Sequence, residues 1–238
     1  MKRGQVTYFI IAGLIVLIAV ILIFSARLSF LKDVYEEQTT KLLGVSADIK
    51  PVEDYIQGCL NEVSKTGVDF VLLQGGYYEP NNSVELDLFK VAYWYDNKDI
   101  SPSLETVQNA ISKFINANLN ECILTFLDSD YKINLANPKI QTNVKKDLIL
   151  ITAEYRTNVE SKNITFKLNK FNSKLSHDIT NIIESGKKIV DMESNSQDID
   201  IELMESLNYK VDIFPYDDVL IYSLSNNQTT LMFANKIK

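Results

Sequence analysis

One histidine and two cysteines stand in 238 residues, and that scarcity removes most ligand-based chemistry. His177, Cys59 and Cys122 fall short of a four-ligand zinc site without help from other groups. There is no Cys-x-x-Cys redox pair, no G-x-S-x-G elbow, and no G-x-G-x-x-G or Walker spacing around Gly75-Gly76. Internal repeats and low-complexity linkers are also missing. Charge is lacking from Gly4 to Ala26, while the chain as a whole is 46% hydrophobic and 23% charged, enough to bury a core. Residues 1–50 carry six basic and four acidic side chains, a net of +2, and residues 51–238 carry 18 and 27, a net of −9. That acidic balance argues against a nucleic-acid partner.

Residues 6–24, VTYFIIAGLIVLIAVILIF, are apolar apart from Thr7 and Tyr8. As a helix rising about 1.5 Å per residue the run is roughly 28 Å long, close to the ~30 Å hydrocarbon core of a bilayer. A single span in lipid must bond its backbone internally, so it is helical. A cleaved secretory signal has a shorter apolar region, about 7–15 residues, and small residues at its cut; Phe24-Ser25-Ala26-Arg27 does not match. The expected organisation is a short cytoplasmic tail over 1–5, a transmembrane signal-anchor over 6–26, a helical stem over 27–50, and an extracytoplasmic head over 51–238. Lys2 and Arg3 favour the tail inside, though Arg27, Lys32 and Lys41 nearly balance them. Leu28, Leu31, Tyr35, Leu42 and Val45 continue the helical spacing to a stop near Gly44. They suit packing against the head or self-association through the stem.

In the head, Pro51 opens a helix whose apolar face runs from Val52 through Ile56, Leu60 and Val63 to Val71, ending at Gly75-Gly76. Residues 86–95 read as a strand, and Ser101 with Pro102 and Glu105 starts a second helix with Val107, Ile111, Ile115, Leu119 and Ile123 on its buried stripe. Short strands follow over 131–135, 139–144, 148–156 and 163–168. A helix is expected over 172–192, then closing strands over 209–214, 219–223 and 231–237. Runs of helix followed by runs of strand predict an α+β head, with helices packed on antiparallel sheet rather than βαβ units.

Cys59 and Cys122 each lie on the apolar face of a predicted helix. Two buried free thiols would be ordinary. The anchor, the head size and the even count favour a disulfide in an oxidising space, which also places the head outside. Asn81, Asn163 and Asn227 head N-glycosylation sequons.

Other sites read as structural. Leu175-Ser176-His177-Asp178 offers three triad residue types, but neighbours on one helix point to different faces, so His177 is expected as an exposed helix residue. Asp128-Ser129-Asp130 starts like a calcium loop, yet Ile133 stands where glycine is needed. Asp198, Asp200 and Glu202 alternate with apolar residues and read as a solvated face. Tyr77, Tyr78, Tyr93, Trp94 and Tyr95 are the densest aromatic group, suiting core packing first and a peptide or glycan platform second. No catalytic, cofactor-binding or metal-binding residue is assigned.

The opening Lys2-Arg3-Gly4-Gln5 and its apolar run resemble the class III signal segments of archaeal type IV pilin-like proteins. The resemblance implies a processing cut between Gly4 and Gln5. Phe9 stands where pilins usually carry glutamate, which leaves a filament subunit as the alternative. Tyr55-Ile56-Gln57-Gly58-Cys59-Leu60, Leu73-Gln74-Gly75-Gly76-Tyr77-Tyr78, Ala92-Tyr93-Trp94-Tyr95, Pro102-Ser103-Leu104-Glu105 and Cys122 together resemble a group of single-span archaeal membrane proteins whose biochemical role is unassigned. The expected function is that of a membrane-anchored, non-enzymatic cell-envelope protein with a structural or adhesive role and other envelope proteins as partners. A pilin-like subunit or an anchored ligand-binding accessory protein is the alternative.

Overall fold

A computed structural model describes residues 46–126, 130–161, 164–195 and 200–236. The tail, the transmembrane span, the stem as far as residue 45, the Gly4–Gln5 cut, Asn163, Asp128-Ser129 and Asp198 lie outside them. Among the described residues no helix is long and apolar enough to cross a membrane. The chain divides into two units, Met1–Lys50 and Pro51–Lys238. The elements of the fold belong to the second unit and to the helix that enters it.

Helix α1 runs over Ser46–Leu73 with Pro51 inside it rather than at its start. Proline at the sixth position forgoes one backbone bond near an end where donors are already unpaired, so the helix tolerates it. Helix α2, Leu104–Leu124, is capped by Ser103, whose Oγ accepts the Thr106 N–H at 3.1 Å. The cap therefore falls two residues later than Ser101. The two helices meet where Gly67 has no side chain, since a Cβ there would stand 2.7 Å from the Phe114 ring. The disulfide Cys59–Cys122 joins them with Cα atoms 5.8 Å apart.

The expected 86–95 strand is instead a hairpin, β1 (Ser83–Glu85) and β2 (Lys90–Tyr95), folded around Leu86–Phe89. These belong to a five-stranded sheet in the order β1-β2-β9-β8-β7, completed by β7 (Lys210–Tyr216), β8 (Val219–Ser225) and β9 (Thr230–Lys236). Its β2–β9 pair is parallel, the exception to an otherwise antiparallel design. A second, antiparallel sheet contains β3 (Lys132–Asn134), β4 (Lys139–Lys145), β5 (Leu148–Ser161) and β6 (Ile164–Ser176). The long β5 pairs with β3 and β4 along one edge and with β6 along the other.

Strand β6 extends to Ser176, where the sequence pattern predicts helix from 172, and α3 spans Ile179–Asn195. Phe171 and Ser173 point inward while Asn172 and Lys174 are exposed, a two-residue period that the sheet register realises. Helix α3 covers one face of the five-stranded sheet. Trp94 stacks on Phe233 at 4.4 Å and Phe233 on Tyr222 at 5.3 Å, arrangements contributing about 0.5–1.5 kcal/mol each beyond burial. Gly186 lets α3 approach this stack, and Glu193 near its end accepts hydrogen bonds from Tyr222 Oη and Asn235 Nδ2. Burial, then the bond to Glu193, pushes the Tyr222 phenol up. The short α4, Ile201–Ser206, is capped by Asp200 and carries Glu202 in its first turn, so the alternation around Asp200 is helical rather than extended.

Candidate functional site

The Gln74–Tyr78 turn is tightly constrained. Gly75 and Gly76 hold φ of 74° and 86°, a region side chains disfavour. A Cβ on Gly76 would stand 2.9 Å from both Pro102 Cγ and Val107 Cγ2, so glycine is what lets the turn lie on the start of α2. Gly75 O accepts the Trp94 indole N–H at 2.9 Å. The buried Gln74 amide donates to Tyr78 O at 2.6 Å and Tyr77 O at 3.3 Å, while its Oε1 accepts the Lys90 N–H at 3.4 Å. One side chain thus fixes the backbone of both tyrosines against β2.

This turn forms one wall of a groove of about 430 Å³ with Tyr77, Tyr78, Glu79 and Asn81 on the loop side and Thr106, Asn109, Ala110 and Lys113 on α2. The helix residues recur at three-, four- and seven-residue spacing, so they share one face. Tyr78 meets Phe114 edge-on at 5.7 Å, and Tyr77 donates to Ile100 O at 3.3 Å. Burial, with Asp99 adding to it, raises the Tyr77 phenol above its ordinary value. Two half-buried rings beside two amides, a hydroxyl, one carboxylate and one ammonium offer stacking and a mixed donor–acceptor set. That chemistry suits a polyhydroxylated ligand such as a glycan. The sequence marks the aromatic density. Thr106, Asn109 and Lys113 carry no such signal, because the apolar stripe that defines α2 lies on the opposite side.

His177 is buried between β6 and α3, not exposed on a helix, and its Nδ1 lies 3.3 Å from Thr229 Oγ1. Burial lowers its pKa, Asp69 opposing and Lys65 assisting. Neighbouring Asp178 is engaged elsewhere: it accepts Tyr209 Oη at 2.8 Å and Asn181 Nδ2 at 3.1 Å, so Ser176, His177 and Asp178 do not converge. A second groove, of about 440 Å³, adjoins Asp178, Glu184, Lys188 and Asn226, with Tyr209 as its one ring. Among the described residues no group of three or more His, Cys, Asp or Glu could hold a metal.

Of the remaining sequence-predicted sites, Asn81 is exposed at the groove's rim, and Asn227 is exposed in the β8–β9 turn with Thr229 buried beneath it. Trp94 and Tyr95 are core; Tyr93 is half-buried under the Lys236 ammonium, 5.0 Å from its ring centre. No family model, no curated protein and no solved structure matches the chain.

Proposed function

We propose that this chain is a membrane-anchored, non-enzymatic protein of the archaeal cell envelope, holding its α+β head outside the cytoplasmic membrane in a structural or adhesive role. The observation that carries the reading is the Cys59–Cys122 disulfide, because such bonds persist in oxidising spaces and are rare in the cytosol of most cells. The uncharged run over 6–24 supplies an anchor of bilayer length. Intact-mass analysis of the natively purified chain, joined to protease digestion of intact cells, tests it. A two-hydrogen mass deficit with digestion of the head from outside is the expected result; a reduced chain protected from the protease refutes it. The same spectrum reports a cut at Gly4–Gln5, which with surface filaments containing the chain would promote the pilin-like alternative.

The groove favours a second reading, an anchored accessory protein that binds glycans between Tyr77, Tyr78 and α2. A thermal shift of the full chain with envelope glycans, lost in Tyr78→Ala and Asn109→Ala, supports it. Equal shifts in those variants and the parent exclude the groove.

A further inference from the structure

The outward face of the second sheet is basic in an acidic protein. Residues 131–177 hold nine Lys or Arg against three Asp or Glu, while the rest of the chain holds 15 against 28. The register collects these cations. Lys139 on β4 and Lys170 on β6 flank Glu154 on β5, and two residues further along each strand Gln141, Thr152 and Asn172 form the next row. Beyond it Asn143, Leu150 and Lys174 align, then Lys145 and Leu148. An extra residue in β5 between Glu154 and Thr157 shifts the register there, leaving Arg156 and Lys167 exposed on the continuation of this face. Lys132, on β3, meets Glu160 at 3.9 Å.

We propose that this face docks on an anionic lipid surface, the headgroup layer of a bilayer. Three features choose that occupant. The cations are six lysines and one arginine, and lysine is a flexible point charge suited to a diffuse anionic layer, whereas arginine's fork suits geometric recognition. Lysine is depleted at the cores of protein–protein interfaces, which anchor on aromatic residues, and the rows from Lys139 to Leu148 contain no aromatic side chain. That same lack leaves no stacking platform for the bases of a single-stranded nucleic acid. The result is a sheet face of exposed ammonium groups around Glu154, set among amides, Thr152, Leu148 and Leu150, with the net positive charge an anionic membrane attracts.

Docking by this face is separate from anchoring by the apolar run, and one experiment tells them apart. The full chain, with its native cysteines oxidised, carries a fluorophore on Asn143→Cys within the face, or on Lys188→Cys of α3 as control. It is mixed with vesicles of phosphatidylcholine alone or with added phosphatidylglycerol. Flotation with both vesicle types reports the apolar run and does not bear on the face. Quenching of the Asn143→Cys label by neutral acrylamide reports the face. We expect the label to be shielded roughly tenfold better by anionic than by zwitterionic vesicles, and the shielding to vanish in raised salt and in Lys139→Glu/Lys170→Glu/Lys174→Glu. The control label should not respond. Replacing the same lysines by Gln should weaken the shielding by an intermediate amount, with an unchanged melting temperature showing that the fold survives. Equal shielding by both vesicle types overturns the proposal. So does shielding that rises with protein density on either vesicle, which would mean self-association, or shielding by an oligonucleotide where vesicles give none.

Discussion

His177 illustrates what a single buried side chain contributes. Its folded pKa lies below the unfolded value, so the unfolded chain binds the extra proton as the pH falls toward and below the ordinary histidine range. The native state therefore loses stability on acidification from neutral pH, and His177→Gln should flatten that part of the profile. Denaturant midpoints of parent and variant across mildly acidic pH give the difference directly; parallel curves would contradict the burial. Two glycines make the opposite point about space. A Cβ on Gly186 would stand 2.6 Å from Trp94 Cζ3 and 3.1 Å from Phe233 Cε1, so Gly186→Ala should cost about 1–3 kcal/mol through overpacking. Gly58, exposed on α1 where a Cβ would meet nothing within 4 Å, should gain about 0.5–1 kcal/mol as Ala. Urea melts of the two variants should thus move apart. At this scale the sequence speaks clearly where few readings compete, as with the cysteine pair, which offers either two buried thiols or the disulfide that the fold brings together. It misleads at His177, expected exposed on a helix, whose burial depends on β6 running well beyond the strand that its pattern suggests.

Helices α1 and α2 are legible because three- and four-residue spacing of large apolar groups survives small errors at either end. Strands are less so. The run from Leu86 to Tyr95 looks continuous, but Asp87 and Leu88 are exposed in the loop between β1 and β2, and the pairing begins only at Lys90. The parallel β2–β9 contact joins segments far apart in the chain, a register that no local pattern encodes. The groove shares this difficulty, since its tyrosines come from a turn after α1 and its polar face from α2. What holds those two helices in register is the disulfide together with the Gly67–Phe114 contact. The bridge closes a separation of 63 residues, for which the chain-entropy account gives about 4 kcal/mol. Chemical denaturation of Cys59→Ala/Cys122→Ala should show a loss of that order with a steeper slope, because the unbridged unfolded chain is less compact and exposes more surface. The same loss at an unchanged slope would contradict that account and place the contribution of the bridge in the native packing.

Across the whole molecule, net charge and charge placement give different expectations. A formal net charge of −7 predicts retention on an anion exchanger at neutral pH and passage through a cation exchanger. Placement predicts otherwise. At about 4.8 Å per strand and 3.4 Å per residue, Lys139 and Lys170, two strands apart, stand about 10 Å from one another and Lys174 about 14 Å beyond Lys170, against a screening length of roughly 8–10 Å at moderate salt and about 30 Å at 0.01 M. At low salt Lys139, Lys170 and Lys174 are therefore felt by a surface as a group, with Glu154 standing between the first two. In neutral detergent the full chain should bind both exchangers at low salt, and Lys139→Glu/Lys170→Glu/Lys174→Glu should lose only the cation-exchange retention. Passage of the parent through the cation exchanger would mean that Glu154 and the surrounding acidic surface neutralise the face. The segmental imbalance of nine basic to three acidic residues is present in the sequence, but a linear count does not say on which side of a strand a lysine falls. The pairing of β4 and β6 on either side of β5 is what turns that imbalance into a surface.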